Sequence, residues 1–291
     1  MLPLSRALAD TRAALDSGGI DEADRCAAWL VEAATGTTRT DRIVRPDRPV
    51  SADEQARLAA MLARRLAGEP VQYVTGEAAF RRLTLAVGPG VLVPRPETED
   101  LAEIALDELR RRAAPDASAA RVLDAGTGSG CIALAVKDEH PAATVHALDV
   151  SEAALVVARA NAHRLGLGVA FHRADLLAEA LPEAVRQSGP FDVLVSNPPY
   201  IPDADAPTLA REVALHEPAL ALFSGPDALV FYRALARHAE ALVRPGGLVA
   251  LETDDAHAHA AAACFAPEVF SGVQVRADLY GRDRFLVARR R

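Results

Sequence analysis

Four consecutive residues, Asn197-Pro198-Pro199-Tyr200, set a neutral amide, two prolines and an aromatic ring directly after the apolar run Phe191-Asp192-Val193-Leu194-Val195-Ser196. Proline carries no backbone N–H, so the Asn197 side-chain oxygen and the Pro198 carbonyl stand as two acceptors without a competing proline donor. Such a corner suits a planar, uncharged NH2 group, and the matching chemistry is amino-group methylation. The same four residues also serve as a proline-stiffened exit from a strand, with Tyr200 as ordinary packing. Position favours the first reading, because a polar turn at the carboxyl end of a parallel strand lies where open α/β sheets bind ligands.

A loop that would face this corner stands upstream. The short apolar strand Arg121-Val122-Leu123-Asp124-Ala125 leads into Gly126-Thr127-Gly128-Ser129-Gly130 and then into a helical run from Cys131 to Lys137. Glycines at alternate positions let the backbone turn sharply and approach a ligand without Cβ interference. The spacing is G-x-G-x-G, which departs from the G-x-G-x-x-G of dinucleotide sites and weakens an NAD reading. A second strand, Thr144 to Asp149, ends in a carboxylate suited to accept hydrogen bonds from both hydroxyls of an adenosine ribose. A third, starting at Val169, ends in Asp175-Leu176: adenine can lie against Leu176, with Asp175 accepting from its exocyclic amine. Loop and acidic strand end together point to a nucleoside cofactor, whereas taken singly they also fit a strand-to-helix turn and a helix N-cap neighbourhood at Ser151.

The combination of Asp124 to Gly130, Asp149, Asp175-Leu176 and Asn197 to Tyr200 resembles the class I S-adenosylmethionine-dependent methyltransferases that methylate amino groups. Glu69 to Gly76, the segment Val91-Leu92-Val93-Pro94-Arg95-Pro96-Glu97-Thr98-Glu99, and His216 to Leu222 narrow it, since all three are similar to the peptide chain release factor glutamine methyltransferases of the PrmC or HemK type. The resemblance implies methyl transfer from S-adenosyl-L-methionine to the side-chain amide nitrogen of the glutamine in a release factor's Gly-Gly-Gln motif, in the cytoplasm. It also implies that Gly126, Thr127, Gly128, Ser129, Gly130, Asp149, Leu176 and Asn197 hold the cofactor. Asn197, Pro198, Pro199 and Tyr200 then bind the glutamine, with Asn197, Pro198 and Tyr200 in the catalytic roles. One departure stands out: Glu252 is followed by Thr253-Asp254-Asp255 where related sequences tend to carry glycine, which puts the loop geometry there in question.

The elements that must position these residues divide near residue 80. Residues 1–67 carry helical periodicity, with Leu4, Leu8, Ala14 and Leu15 in one stretch, Ala27, Leu30, Val31 and Ala34 in another, and Leu58, Met61, Leu62 and Leu66 in a third. Ser51 with Glu54 three residues on forms a capping box. We expect a small helical bundle over 1–79 that recognises the protein substrate, a linking β-hairpin over 80–94 turning around Gly88-Pro89-Gly90, and the methyltransferase domain over 95–291. A helix from Glu97 to about Arg112 and a loop at Ala113 to Ala120 precede an alternation of strands and helices, with strands near 121, 144, 169, 191 and 247. Alternation predicts a doubly wound α/β sheet. The pairs Val273 to Val275 and Phe285 to Val287 close it as a hairpin, and the resemblance implies seven mostly parallel strands of the Rossmann-like methyltransferase type.

Composition agrees without deciding. At 291 residues, half of them apolar, the chain can bury a full catalytic domain and a smaller one. A formal charge of -8 argues against broad binding to nucleic acid, so no direct nucleic-acid contact is expected. Cys26, Cys131 and Cys264 are scattered, which predicts reduced thiols and no structural zinc. His257 and His259, two apart, lack the i,i+4 spacing of a zinc pair and read as solvated, so no metal is expected. No apolar run approaches a membrane span, and no membrane partner is expected. Two other readings compete: a DNA or RNA amino-methyltransferase gripping an exocyclic base amine, which would need a basic groove, and a non-catalytic binding protein that kept the cofactor fold.

Overall fold

Strands whose neighbouring side chains are apolar on both faces demand cover on both sides. In the computed structural model, which describes residues 2–112 and 120–291, seven strands build the central sheet, the inner ones buried on both faces and the edge ones more exposed. They are β1 (Arg121–Ala125), β2 (Thr144–Asp149), β3 (Val169–Arg173), β4 (Phe191–Ser196), β5 (Val243–Glu252), β6 (Phe270–Ala277) and β7 (Asp283–Arg290). Their order is β6-β7-β5-β4-β1-β2-β3, with β1 to β5 mutually parallel and β7 antiparallel to both of its neighbours. The expected architecture, a doubly wound and mostly parallel seven-stranded sheet, is therefore present. The loop expected over 113–120 lies, apart from Ala120, outside the described residues.

Every residue of β4 is buried, and alternate side chains serve opposite layers. Val193 and Val195 join Leu101, Leu109 and Ile132 on one face, whereas Leu194 joins Tyr232, Leu235 and Leu242 of helix Val230–Leu242 on the other. From β1 the chain winds outward through β2 and β3, then returns to place β4 on β1's other side. The strand order thus reverses between β1 and β4, which opens a crevice at their carboxyl ends. Ala125-Gly126 and Ser196-Asn197 meet there, and the Ser196 hydroxyl donates to the Ala125 carbonyl.

The hairpin differs from expectation. Its strands are Glu77–Phe80 and Leu83–Ala86, so the chain turns at Arg81-Arg82 and not around Gly88-Pro89-Gly90. Arg81 takes φ 53, a region that disfavours side chains. Interactions remote in sequence hold it there: its N–H donates to Glu99 Oε1 (3.0 Å), and its guanidinium is ion-paired to Glu103 and to the buried Glu139. Turn chemistry alone favours the glycines, and the carboxylates override it.

Two compact units divide the chain, Met1–Glu77 with Ala210–His216, and Ala78–Leu209 with Glu217–Arg291. Helices Leu4–Ser17, Ala23–Thr35 and Ala52–Leu66 form the core of the first. The Ser51 capping box is complete: Glu54 N–H donates to Ser51 Oγ (3.2 Å), and Ser51 N–H donates to Glu54 Oε2 (2.8 Å). Two stripes differ from expectation at single positions. The first helix buries Leu4, Ala7, Thr11 and Leu15, with Leu8 packed at the edge of the same core, and Thr11 is accommodated there because its hydroxyl donates to the Ala7 carbonyl (2.8 Å). Leu66 is largely exposed while Arg65 is buried and paired with Glu212 (2.6 Å). Helices Arg39–Val44 and Val71–Thr75 escape periodicity because each spans under two turns.

Candidate active site

The glycine loop adopts the backbone its sequence demands. Gly126, Gly128 and Gly130 have φ of +79, +56 and +86. The N–H groups of Gly126 and Thr127 donate to the Leu148 carbonyl, which staples the loop to the end of β2. A Cβ at Gly130 would meet Leu134 Cδ1 at 3.0 Å and Ala158 Cβ at 3.3 Å, so that glycine serves close packing of two helices. A Cβ at Gly128 would meet nothing within 4 Å, leaving its backbone open to a ligand. Asp124 anchors the loop from inside: its Oδ2 accepts from Thr127 Oγ1 (2.6 Å) and from the Ala133 N–H (3.1 Å). Complete burial pushes its carboxyl up to about 7.

Asp149 stands at the end of β2. Its Oδ2 accepts from the Gly128 N–H and its Oδ1 from the Ser151 N–H, both at 2.9 Å. A carboxylate oxygen has two lone-pair sites, so each oxygen retains one for a ligand hydroxyl. Burial raises this carboxyl above its ordinary value, and the two N–H groups oppose the shift.

Across the crevice, the Asn197 Nδ2 group donates to Thr98 Oγ1 (3.1 Å), and the Thr98 hydroxyl donates to Glu252 Oε2 (2.8 Å). Thr98 lies in the first turn of helix Pro96–Arg112, and Glu252 ends β5. Both are buried, and burial pushes the Glu252 carboxyl up to about 7. Arg95 Nη2 pairs with Glu217 Oε1 (2.6 Å), while Glu217 Oε2 accepts from the Val93 N–H (3.1 Å). Two of the segments that carry the family resemblance are thereby tied to each other.

Between the glycine loop and the β4 exit lies a cavity of about 320 Å³, within the range of small-molecule sites. Gly126, Thr127, Gly128, Ser129, Asp149, Leu176, Asn197 and Pro199 line it, as do Asp175 and Thr98. Gly130, Pro198 and Tyr200 are not in its wall; Pro198 is buried, and Tyr200 packs beside the apolar cluster that holds Tyr232. The lining fits a nucleoside cofactor: an open glycine backbone, a carboxylate with lone pairs to spare and an apolar Leu176 side chain. Sequence reasoning left out Thr98 and Glu252 as site residues. Glu252 carried one signal, an acid closing the apolar run Leu248 to Leu251.

Thr253-Asp254-Asp255 does not need a glycine, since Glu22 and Arg81 are the only non-glycine residues with positive φ among the described residues. Thr253 N–H donates to the Arg284 carbonyl (2.9 Å), and Asp254 accepts from His257, both N–H and ring. His257 is therefore half-buried and paired rather than solvated, in contrast to the exposed His259.

Comparison with known proteins agrees with these features. Residues 6–76 match the protein family described as PrmC N-terminal domain, and residues 102–242 match that described as methyltransferase small domain. The chain is similar to the release factor glutamine methyltransferase of Deinococcus radiodurans, at 41% identity over 97% of each chain. It is 40% identical to that of Caulobacter vibrioides, over 98% of this chain and 96% of the relative, and 44% identical to that of Gloeobacter violaceus, over 85% and 81%.

Proposed function

Because the chain belongs to the release factor glutamine methyltransferase family, we propose that the crevice between β1 and β4 is where S-adenosyl-L-methionine and a release-factor glutamine meet. The enzyme methylates the side-chain amide nitrogen of the glutamine in the Gly-Gly-Gln motif, with S-adenosyl-L-methionine as methyl donor. When bound, that cofactor supplies an electrophilic methyl group on a sulfonium centre. Gly126 to Ser129, Asp149, Leu176 and Asn197 hold it, with Gly130 packing the loop onto its helices, the Asp149 oxygens accepting from the ribose hydroxyls and Leu176 against the adenine.

The target nitrogen is a poor nucleophile, since its lone pair is delocalised into the carbonyl. Positioning must replace basicity. The Asn197 Oδ1 and the Pro198 carbonyl each accept one hydrogen of the glutamine NH2, while Pro199 shapes the wall beside the flat amide and Tyr200 backs the corner from the apolar cluster. As the nitrogen turns positive during attack, those two acceptors bind the transition state more strongly than the ground state. Alignment of the nitrogen contributes further by removing orientational freedom before the reaction. The observation that supports this most is the Asn197–Thr98 hydrogen bond, which occupies the Asn197 NH2 and leaves its oxygen to the crevice.

Residues 1–79 are assigned to recognising the release factor, and the cytoplasm is where that substrate is met. No helix among the described residues is long and apolar enough to cross a membrane. The test is mass spectrometry of a release factor after incubation with the enzyme and cofactor, which should find one methyl on the Gly-Gly-Gln glutamine. Asn197→Ala should lower that turnover by on the order of a hundredfold or more, as when a transition-state hydrogen-bonding group is removed. Wild-type turnover in this variant would refute the role of Asn197. A methyl appearing on nucleic acid in place of the release factor would overturn the substrate assignment.

A further inference from the structure

An asparagine amide fits its space almost equally well in two orientations, which exchange an acceptor for a donor. At Asn197 the choice decides function, because an inverted amide would point NH2 at the substrate's NH2. We propose that Thr98 and Glu252 are positioning residues that fix this choice, so that the oxygen of Asn197 faces the glutamine; this rests on the assignment of Asn197 as a glutamine-binding residue.

A hydroxyl alone selects nothing, since Thr98 Oγ1 accepts or donates equally well. Glu252 removes the ambiguity. As a carboxylate it can only accept, so the Thr98 O–H points to Glu252 Oε2 (2.8 Å), and the free lone pairs of Oγ1 face Asn197 Nδ2 (3.1 Å). The direction of donation then runs one way, from Asn197 through Thr98 to Glu252. A protonated Glu252 would donate to Thr98 instead, turning the hydroxyl hydrogen towards Asn197 and favouring the inverted amide.

The carboxyl's surroundings set where this reversal falls. Glu97 and Arg95 face it from the start of the Pro96–Arg112 helix, Cys131 from the next helix, Tyr200 from the β4 exit, Tyr232 from helix Val230–Leu242 and Arg284 from β7. Burial raises the Glu252 carboxyl to about 7, opposed by the Thr98 hydroxyl and by Arg284. Turnover should therefore fall on the acid side of neutrality, as the relay reverses.

The test compares wild type, Thr98→Val, Thr98→Ser, Glu252→Gln and Asn197→Ala, all full length, with release factor and radiolabelled S-adenosylmethionine across pH. Thr98→Val keeps the side chain's shape and deletes the relay; it should lower kcat about tenfold, the worth of one oriented hydrogen bond in the transition state. Cofactor Kd should change much less than kcat, because Thr98 reaches the cavity wall but hydrogen-bonds to neither the glycine loop nor Asp149. Thr98→Ser should recover most of the loss. The acid limb near pH 7 should be present in wild type and absent from both Thr98→Val, which breaks the relay, and Glu252→Gln, which has no titrating group at its end. Wild-type kcat in Thr98→Val beside an inactive Asn197→Ala overturns the relay and leaves the glutamine site standing. Full turnover in Asn197→Ala overturns the glutamine site and the relay together. A Thr98→Ser as impaired as Thr98→Val, or a cofactor Kd that worsens in step with kcat, assigns Thr98 to packing and also overturns the relay.

Discussion

The two oxygens of Asp149 are each half-used by the fold. Each oxygen accepts one backbone N–H, from Gly128 or Ser151, which shapes the glycine loop and the next helix start. The remaining lone pairs are the ones proposed for the ribose. Asp149→Ala should raise the S-adenosylmethionine Kd by roughly ten- to a hundredfold, the scale of charge-assisted hydrogen bonds lost, and isothermal titration reads it directly. An unchanged Kd would remove Asp149 from the cofactor site. Asp149 and Asn197 can be singled out in the sequence because their types stand where strands end: an acid closing β2, an amide after β4. Thr98 and Glu252 cannot, since Thr98 lies 99 residues from Asn197 and 154 from Glu252, and only the folded sheet brings them together.

Most elements followed from their own sequences, and the exceptions share a cause. The parallel strands and the Ser51-capped helix are specified locally, by apolar runs and a cap. The hairpin is specified at a distance. Gly88-Pro89-Gly90 is the stronger local turn signal, yet the chain reverses at Arg81, where three glutamates of two other helices hold a left-handed backbone. Arg81→Ala should cost about 3 kcal/mol, the scale for removing one partner of a largely buried ion pair, because Glu139 is left buried without its closest cation. Denaturant unfolding measures this. A loss below about 0.5 kcal/mol, typical of an exposed surface substitution, would show that the turn holds without its ion pairs. The same logic explains β5, which begins at Val243, earlier than the apolar run at Gly247: an irregular register against β4 admits Arg244-Pro245-Gly246 into the strand.

At the scale of the whole molecule, two buried acids leave a signature in stability. Asp124 and Glu252 are raised to about 7 in the folded protein from ordinary values of 3.8 and 4.5. Between those limits the folded chain holds protons that the unfolded chain has released, so these groups stabilise the fold at low pH and lose that contribution as pH rises through about 7. Asp41 and Glu54, held down to about 2, act oppositely, and their contribution is lost only as pH falls from their ordinary values towards about 2. His146, His172 and His238, which burial holds below the ordinary histidine value, oppose this trend as pH falls, so the informative quantity is a difference. Calorimetry without cofactor from about pH 8 to about 5.5 should show Asp124→Asn gaining less thermal midpoint, or losing more, than wild type on acidification, and identical slopes would contradict the assignment.

The pattern of the sequence changes near residue 80, but nothing in the composition of Ala210–His216 marks it as belonging with the first 77 residues. Its Glu212 faces the buried guanidinium of Arg65. An amino-terminal piece cut after Glu77 would keep all its helices yet strand a cation in its interior. What completes that piece is encoded more than a hundred residues away, so the smallest self-sufficient portion of this molecule is not a continuous stretch of its gene.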